Sequence, residues 1–178
     1  RLSDGLPAVF KALQENGIDS NEWQAYRTAM RENEKLYPDG LIDQARYDAN
    51  AAYVDEFIKN NPEVGKVDAV FDKLADAHLQ MYERYGFKEK GWAEQTRLEN
   101  PWYFPLHKLS DTESMRMSQI NPTKMASPMA SVKPARTTGD YLDGFAAMAG
   151  EIDRIVSEGE KNTALRPFFD EASKQGIV

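Results

Sequence analysis

Hydrophobic positions recur at steps of three and four residues along most of the chain, which is the spacing of one face of an α-helix. Over residues 1–96 this pattern predicts a series of N-terminal helices that ends in two long ones, at 39–60 and 62–85. The last of these has the clearest apolar stripe, which includes Val64 and Phe71. Because only a short Asn-Asn-Pro connection joins the two long helices, we expect them to pair as an antiparallel hairpin.

The middle of the chain, residues 97–137, lacks this periodicity and holds five of the nine prolines. Since proline removes a backbone donor and breaks helices, we expect an extended arm here. Helical spacing returns over 138–178, with an interruption predicted at Gly159. No strand pattern of useful length occurs. The sequence therefore predicts an all-α fold, a helical hairpin or bundle with a long extended arm rich in proline, aromatics and methionine packed on or beside it, as one compact domain.

The arm begins with the densest apolar block of the chain, which reads Asn-Pro-Trp-Tyr-Phe-Pro-Leu-His-Lys from Asn100. Three consecutive aromatic side chains, Trp102 to Phe104, lie between its two prolines, and each can bury about 150–250 Å². Ordering about 40 residues costs more free energy than three aromatics return, so further contacts are needed. Such an arm docks either on its own helices or on another chain, and the sequence leaves both alternatives open.

Charge is uneven along the chain. The net charge is −7, which argues against a general nucleic-acid binder, yet residues 97–137 carry six basic and three acidic side chains between two acidic ends. The basic arm fits the chain's own acidic helices, or it fits an anionic partner. The candidate contact residues are Trp102, Tyr103, Phe104, Leu106, His107, Lys108, Arg116, Lys124, Lys133 and Arg136.

Chemistry-bearing motifs are scarce. The chain has no cysteine and two histidines, and neither histidine belongs to a recognised metal or nucleophile motif. Asp68, Asp72 and Asp76 form a row at helical spacing that suits a divalent cation, although a solvated face is the commoner explanation. His78 lies on the apolar stripe and is expected to be a core histidine bonded to a tyrosine or carboxylate. We therefore predict no catalytic residue, no metal and no cofactor; a helical enzyme with an unrecognised site near His78 is the second alternative.

Segments that direct a chain to a membrane are not evident. No apolar run approaches the length of a membrane span, and no signal-peptide pattern opens the sequence. The sequence starts at Arg1 and not at methionine, which leads us to expect a fragment of a larger protein, a processed product or a trimmed chain.

The order of these features resembles segments of the large polyvalent proteins of phages and integrative elements. The resemblance covers about residues 40–170: a helical hairpin, the Pro-Trp-Tyr-Phe-Pro block, a basic stretch ending Lys133-Pro-Ala-Arg136, and an amphipathic helix. It implies a non-enzymatic structural or protein-interaction domain that serves in the virion or in DNA delivery (ejection). Its location would be the virion or the host cytoplasm, with a protein partner or self-association into an oligomer. The alternative is a module that contacts nucleic acid through the basic aromatic arm, 97–137.

Overall fold

The computed structural model describes residues 5–106 and 144–174, and all regular secondary structure in these ranges is helical. The helices are α1 (Gly5–Glu15), α2 (Ser20–Arg31) with a π-helical turn after it (Glu32–Leu36), α3 (Gln44–Asn60), α4 (Val64–Arg84), α5 (Trp92–Glu99) and α6 (Gly144–Lys174). The all-α fold class is confirmed for this part of the chain. Most of the predicted arm, residues 107–137, lies outside the described residues, as do residues 138–143.

Short polar side chains begin two of the helices. The carboxylate of Asp19 accepts hydrogen bonds from the backbone N–H groups of Asn21 and Glu22 at the start of α2. Asp43 does the same for the N–H of Arg46 at the start of α3. These caps satisfy donors that the first turn of a helix leaves unpaired, so they fix where α2 and α3 begin.

The helices pair in a different order from the one that the sequence suggests. The main partner of α3 is α2, and the main partner of α4 is α1. Tyr26 of α2 stacks on Phe57 of α3 with ring centroids 4.8 Å apart. Trp23, one turn earlier on α2, contacts Phe71 of α4 edge-on at 5.2 Å. Helix α2 thus contacts both long helices, and direct pairing of α3 with α4 is not the principal packing.

Trp23 is the centre of the core and is fully buried. Its ring lies 5.6 Å from that of Phe145 on α6 in a stacked arrangement. It also lies 6.0 Å from Phe104, in the segment after α5, and meets it edge-on. With Phe71, these rings join α2, α4, α6 and the segment 100–106 in one aromatic cluster, which is a strong source of core stability.

Two elements near the arm differ from the prediction. Helix α5 is not predicted by the sequence pattern, and it makes the first three residues of the arm, Arg97–Glu99, helical. Helix α6 runs unbroken through Gly159, where an interruption is expected. A Cβ atom added to Gly159 would lie 2.3 Å from Cγ of Tyr85. The glycine therefore allows α6 to lie against this ring, and it does not end the helix.

Two glycine substitutions test this close approach. We expect Gly159→Ala to lower the free energy of unfolding by about 1–3 kcal/mol, because the new methyl group overpacks the contact with Tyr85. Gly65→Ala in α4 is the matched control, since its new Cβ meets no atom within 4 Å. That variant should gain about 0.5–1 kcal/mol from helix propensity. Urea unfolding followed by circular dichroism measures both, and an equal gain in the two variants would contradict the contact.

Candidate functional site

The aromatic block packs on the chain's own helices. Phe104 and Leu106 are buried in the core cluster, and Trp102 and Tyr103 are partly buried against it. These are four of the ten contact residues that the sequence singles out. The other six lie outside the described residues: His107, Lys108, Arg116, Lys124, Lys133 and Arg136. A role of the four in contacting a partner stays a prediction.

Polar contacts with α2 and the π-helical turn hold the start of the block. Arg31 donates from Nη1 to Oδ1 of Asn100 at 2.7 Å and forms an ion pair of 2.7 Å with Glu34. Glu34 in turn accepts the backbone N–H of Trp102 at 3.0 Å. The block is therefore fixed through its backbone as well as through its aromatic rings.

Arg27 is the most deeply placed charge beneath this block, and its side chain is fully buried. Its Nη2 donates to Oδ1 of Asp72 at 3.1 Å and to the carbonyl of Tyr103 at 3.0 Å. Its Nη1 lies 3.5 Å from Oδ1 of Asp68. The guanidinium also lies over the ring of Trp102, 5.3 Å from its centroid, which is a cation–π contact. One arginine thus joins α2, α4 and the aromatic block.

Asp68 is held among aromatic donors. It accepts hydrogen bonds from Nε1 of Trp23 at 3.1 Å and from the hydroxyl of Tyr26 at 2.9 Å. Burial raises the pKa of Asp68, while the charge of Arg27 and the two hydrogen bonds act in the opposite direction. Burial, and then the charge of Asp68, raise the pKa of Tyr26. Because Asp68 is buried and bonded within the protein, the solvated face expected for the aspartate row does not describe it.

The other two aspartates of the row are paired with a second arginine, on α5. Arg97 contacts Oδ1 of Asp76 through Nε at 2.6 Å and Oδ1 of Asp72 through Nη2 at 3.3 Å. It also donates from Nη1 to the carbonyl of Pro101 at 3.1 Å. Within residues 5–106 and 144–174, no group of three or more histidine or carboxylate side chains is arranged to hold a metal ion.

An open cleft of about 750 Å³ lies between α4 and α5. A second depression, of about 610 Å³, continues it along α4 and shares Gln80, Glu83 and Lys90 with it. Asp72, Asp76 and Arg97 line the first cleft, but their charges already satisfy one another. These three side chains are therefore engaged with one another at the wall of the cleft.

A buried histidine links α4 to α6. The side chain of His78 is fully buried, and its Nε2 lies 3.1 Å from Oε2 of Glu151. The rings of Tyr82 and Tyr103 lie beside it, at centroid distances of 5.7 Å and 6.2 Å. His78 is thus a core histidine beside a carboxylate, as its place on the apolar stripe predicts.

The sequence pattern does not single out three residues that form the site: Arg27, Glu34 and Glu151. The position of Arg27 could have indicated its burial, because it follows Trp23 by four residues and precedes Met30 by three, which places it on the apolar stripe of the helix. A charged residue on the apolar stripe of a helix is buried only with a partner, and an aspartate row on another helix offers one. Glu34 has a local partner in Arg31, but its bond to the N–H of Trp102 is distant in sequence and has no local signal. The contact of Glu151 with His78 is distant as well.

The described residues on the two sides of the segment 107–143 lie close together. Gly144 lies so close to Phe104 that an added Cβ would be 2.2 Å from Cζ of the ring. The backbone N–H of Gly144 also donates to Oε1 of Gln24 on α2 at 2.8 Å. Residues 107–143 therefore connect two points that are fixed side by side on the helical body, at Leu106 and at Gly144.

Comparisons with known proteins returned no match: no family model matches the chain, and no curated protein or solved structure resembles it significantly. Across the described ranges, no helix combines the length and the apolar character that a membrane crossing needs.

Proposed function

We propose that this chain is a non-enzymatic helical interaction domain. Its helical body, residues 5–106 and 144–174, holds residues 107–143 at one site for contact with a protein partner, which includes a second copy of the chain. The observation that carries the proposal is the contact between Phe104 and Gly144, which brings the two ends of this segment together. The segment contains four of the seven methionines, whose flexible side chains adapt to irregular partner surfaces. A rigid base with a long connection between neighbouring points is typical of segments that carry function.

The use of charge inside the body supports a structural role over a catalytic one. Arg27 and Arg97 neutralise the aspartate row. Glu32, which is fully buried, binds Arg46 at 2.9 Å and the side chain of Asn50 at 2.7 Å. A catalytic group must face a substrate, whereas these groups face one another across helix contacts.

For the biological setting, we propose the one that the sequence resemblance implies: a segment of a large phage or mobile-element protein that acts in the virion or in the host cytoplasm. The Pro-aromatic block and the basic stretch ending at Lys133-Pro-Ala-Arg136 are the features that support it. A scaffold domain with a docked aromatic block suits a long multidomain chain, because such chains need rigid spacers between contact segments.

The charge of the body favours a protein partner over nucleic acid. Residues 5–106 and 144–174 carry 24 acidic and 16 basic side chains, so this part of the chain has a net charge of −8, which as a whole repels phosphates. The segment 107–143 carries five basic and four acidic side chains, and all five basic ones lie between residues 107 and 137. A nucleic acid would contact these five groups and lose affinity steeply with salt.

The test replaces the five basic residues of the segment by glutamine and compares the variant with a control that loses five charges from exposed positions on the helices. The segment variant changes Lys108, Arg116, Lys124, Lys133 and Arg136; the control changes Lys11, Lys59, Lys66, Lys73 and Arg84. Light scattering coupled to size exclusion reports self-association. Affinity capture with quantitative mass spectrometry reports other partners, and a labelled single-stranded oligonucleotide at low salt reports nucleic-acid binding.

We expect the segment variant to lose an oligomer or a captured protein that the wild type and the control retain. Equal assembly and equal capture by all three chains would contradict the proposal. Salt-sensitive binding of the oligonucleotide, lost in the segment variant alone, would replace the protein partner by nucleic acid.

A further inference from the structure

The second depression, beside the end of α4, is lined by two cations that the fold leaves unpaired. Arg84 is the last residue of α4, Lys90 lies just before α5, and both are exposed. Within the described part of the chain, neither side chain forms an ion pair. The other five arginines whose side chains the structure describes all pair with carboxylates: Arg27, Arg31, Arg46, Arg97 and Arg154. We propose that this depression binds the phosphate group of a small organic phosphate.

The loop that joins the two cations has a fixed backbone. The N–H of Phe87 donates to the carbonyl of Tyr82 at 2.8 Å. The ring of Tyr82 lies 6.4 Å from that of Phe87 and 5.4 Å from that of Trp92 at the start of α5. Arg84 and Lys90 therefore extend from a preorganised loop, which lowers the entropy cost of binding a ligand between them.

The carboxylate among the described residues that line the second depression is already engaged. Oε1 of Glu83 accepts the backbone N–H of Ala93, in the first turn of α5, at 2.6 Å. This contact places the negative charge at the positive end of a helix dipole. Gln80 lines the same depression and supplies an amide that can donate a hydrogen bond. An anion would therefore meet two free cations and an amide donor against one engaged carboxylate.

The charge and the size of the site favour an organic phosphate. A phosphate monoester carries about −1.5 to −2 at pH 7, which matches two cations, whereas a single carboxylate matches one. An arginine fork binds phosphate oxygens in pairs, and a lysine adds a point charge. The depression measures about 610 Å³, which is ample for more than a phosphate ion, and it continues into the larger cleft. Leu98 and Pro101 are exposed at the wall of that cleft, where the organic part of a ligand can bury apolar surface.

Amide NMR spectra of the full chain, titrated at low salt with phenyl phosphate, test the site. We expect saturable shifts confined to residues 77–101, with a dissociation constant of about 1 mM or lower. Benzyl alcohol, which lacks the phosphate, should not produce them, and inorganic phosphate should bind more weakly because it lacks an apolar part. Shifts that do not saturate or that scatter over the surface would overturn the proposal. Equal affinity for inorganic phosphate would overturn the organic ligand.

A pair of double variants assigns the binding to the two cations. Arg84→Gln with Lys90→Gln should weaken the binding of phenyl phosphate at least about tenfold. Lys59→Gln with Lys73→Gln is the matched control, because it removes the same charge from exposed positions that line neither cavity. It should change the affinity less than about twofold. Equal affinities of the two variants would contradict the site.

Phosphatidic acid offers the same phosphate chemistry at a membrane surface. Co-sedimentation with phosphatidylcholine vesicles, with and without phosphatidic acid, separates this source from a soluble ligand. Binding to the acidic vesicles without a response to phenyl phosphate would assign the depression to a membrane surface and overturn the proposal. The inference concerns α4 and α5, so it stands or fails independently of a partner at residues 107–143.

Discussion

Replacing Arg27 with methionine is expected to lower the free energy of unfolding by about 3–5 kcal/mol, because it leaves a buried charge without its partner. Because methionine keeps most of the length of the arginine side chain, the loss of unfolding free energy comes from the missing charge more than from missing volume. Asp68 would remain buried with its two hydrogen bonds from Trp23 and Tyr26, and the carbonyl of Tyr103 would lose its donor. Urea unfolding at neutral pH, followed by circular dichroism, measures the change.

The pH dependence of this variant has a definite sign. Burial raises the pKa of Asp68, and Arg27 opposes that shift. Without Arg27, the carboxyl in the folded state takes up its proton at a higher pH than in the unfolded chain. A group of this kind contributes stability at low pH and loses it as the pH rises. The defect of Arg27→Met should therefore shrink as the pH is lowered toward the range in which Asp68 is protonated.

Two further variants serve as controls for this experiment. Arg84→Met removes an exposed arginine from the end of α4 and should change stability by no more than about 0.5 kcal/mol. Adding Asp68→Asn to Arg27→Met removes the stranded charge and should recover part of the loss, since the two residues are in contact. If Arg27→Met were as stable as Arg84→Met, the ion pair would not be a determinant of this fold.

The parts of the fold that were predictable from the sequence are those set by local pattern. The stripe that includes Val64 and Phe71 identifies α4, and the position of His78 on it correctly indicates a buried histidine. Such periodicity is a property of neighbouring residues, so one sequence suffices to recognise it.

Contacts between distant segments carry no comparable local signal. Glycine often marks the end of a helix, which is why an interruption is predicted at Gly159. In the fold, Gly159 instead packs against Tyr85, which lies more than 70 residues earlier in the sequence. The aspartate row shows helical spacing, yet only the fold brings Arg27 and Arg97 to it. Helix α5 is only eight residues long and packs on α4, so tertiary contact decides its existence more than its own pattern does.

Phe104→Ala is expected to cost about 3–5 kcal/mol of unfolding free energy, the usual loss when a buried phenylalanine is truncated. The ring is buried against Trp23 and Phe71, at centroid distances of 6.0 Å and 5.5 Å. It also supports Gly144 at the start of α6. The substitution should therefore reduce hydrogen-exchange protection at the start of α6 as well as the midpoint of urea unfolding.

Leu98→Ala on α5 is the matched control, because Leu98 is 77% exposed and its truncation should change stability by no more than about 0.5 kcal/mol.

The comparison of the two variants separates two roles of Phe104. If Phe104 is a core residue, Phe104→Ala loses stability in the isolated chain, and any loss of partner binding follows from the looser start of α6. If Phe104 instead served mainly as an anchor in a partner's surface, Phe104→Ala would unfold at the same urea concentration as Leu98→Ala and lose only assembly. A domain of ordinary stability has about 5–15 kcal/mol in total, so the two outcomes differ by a large fraction of it.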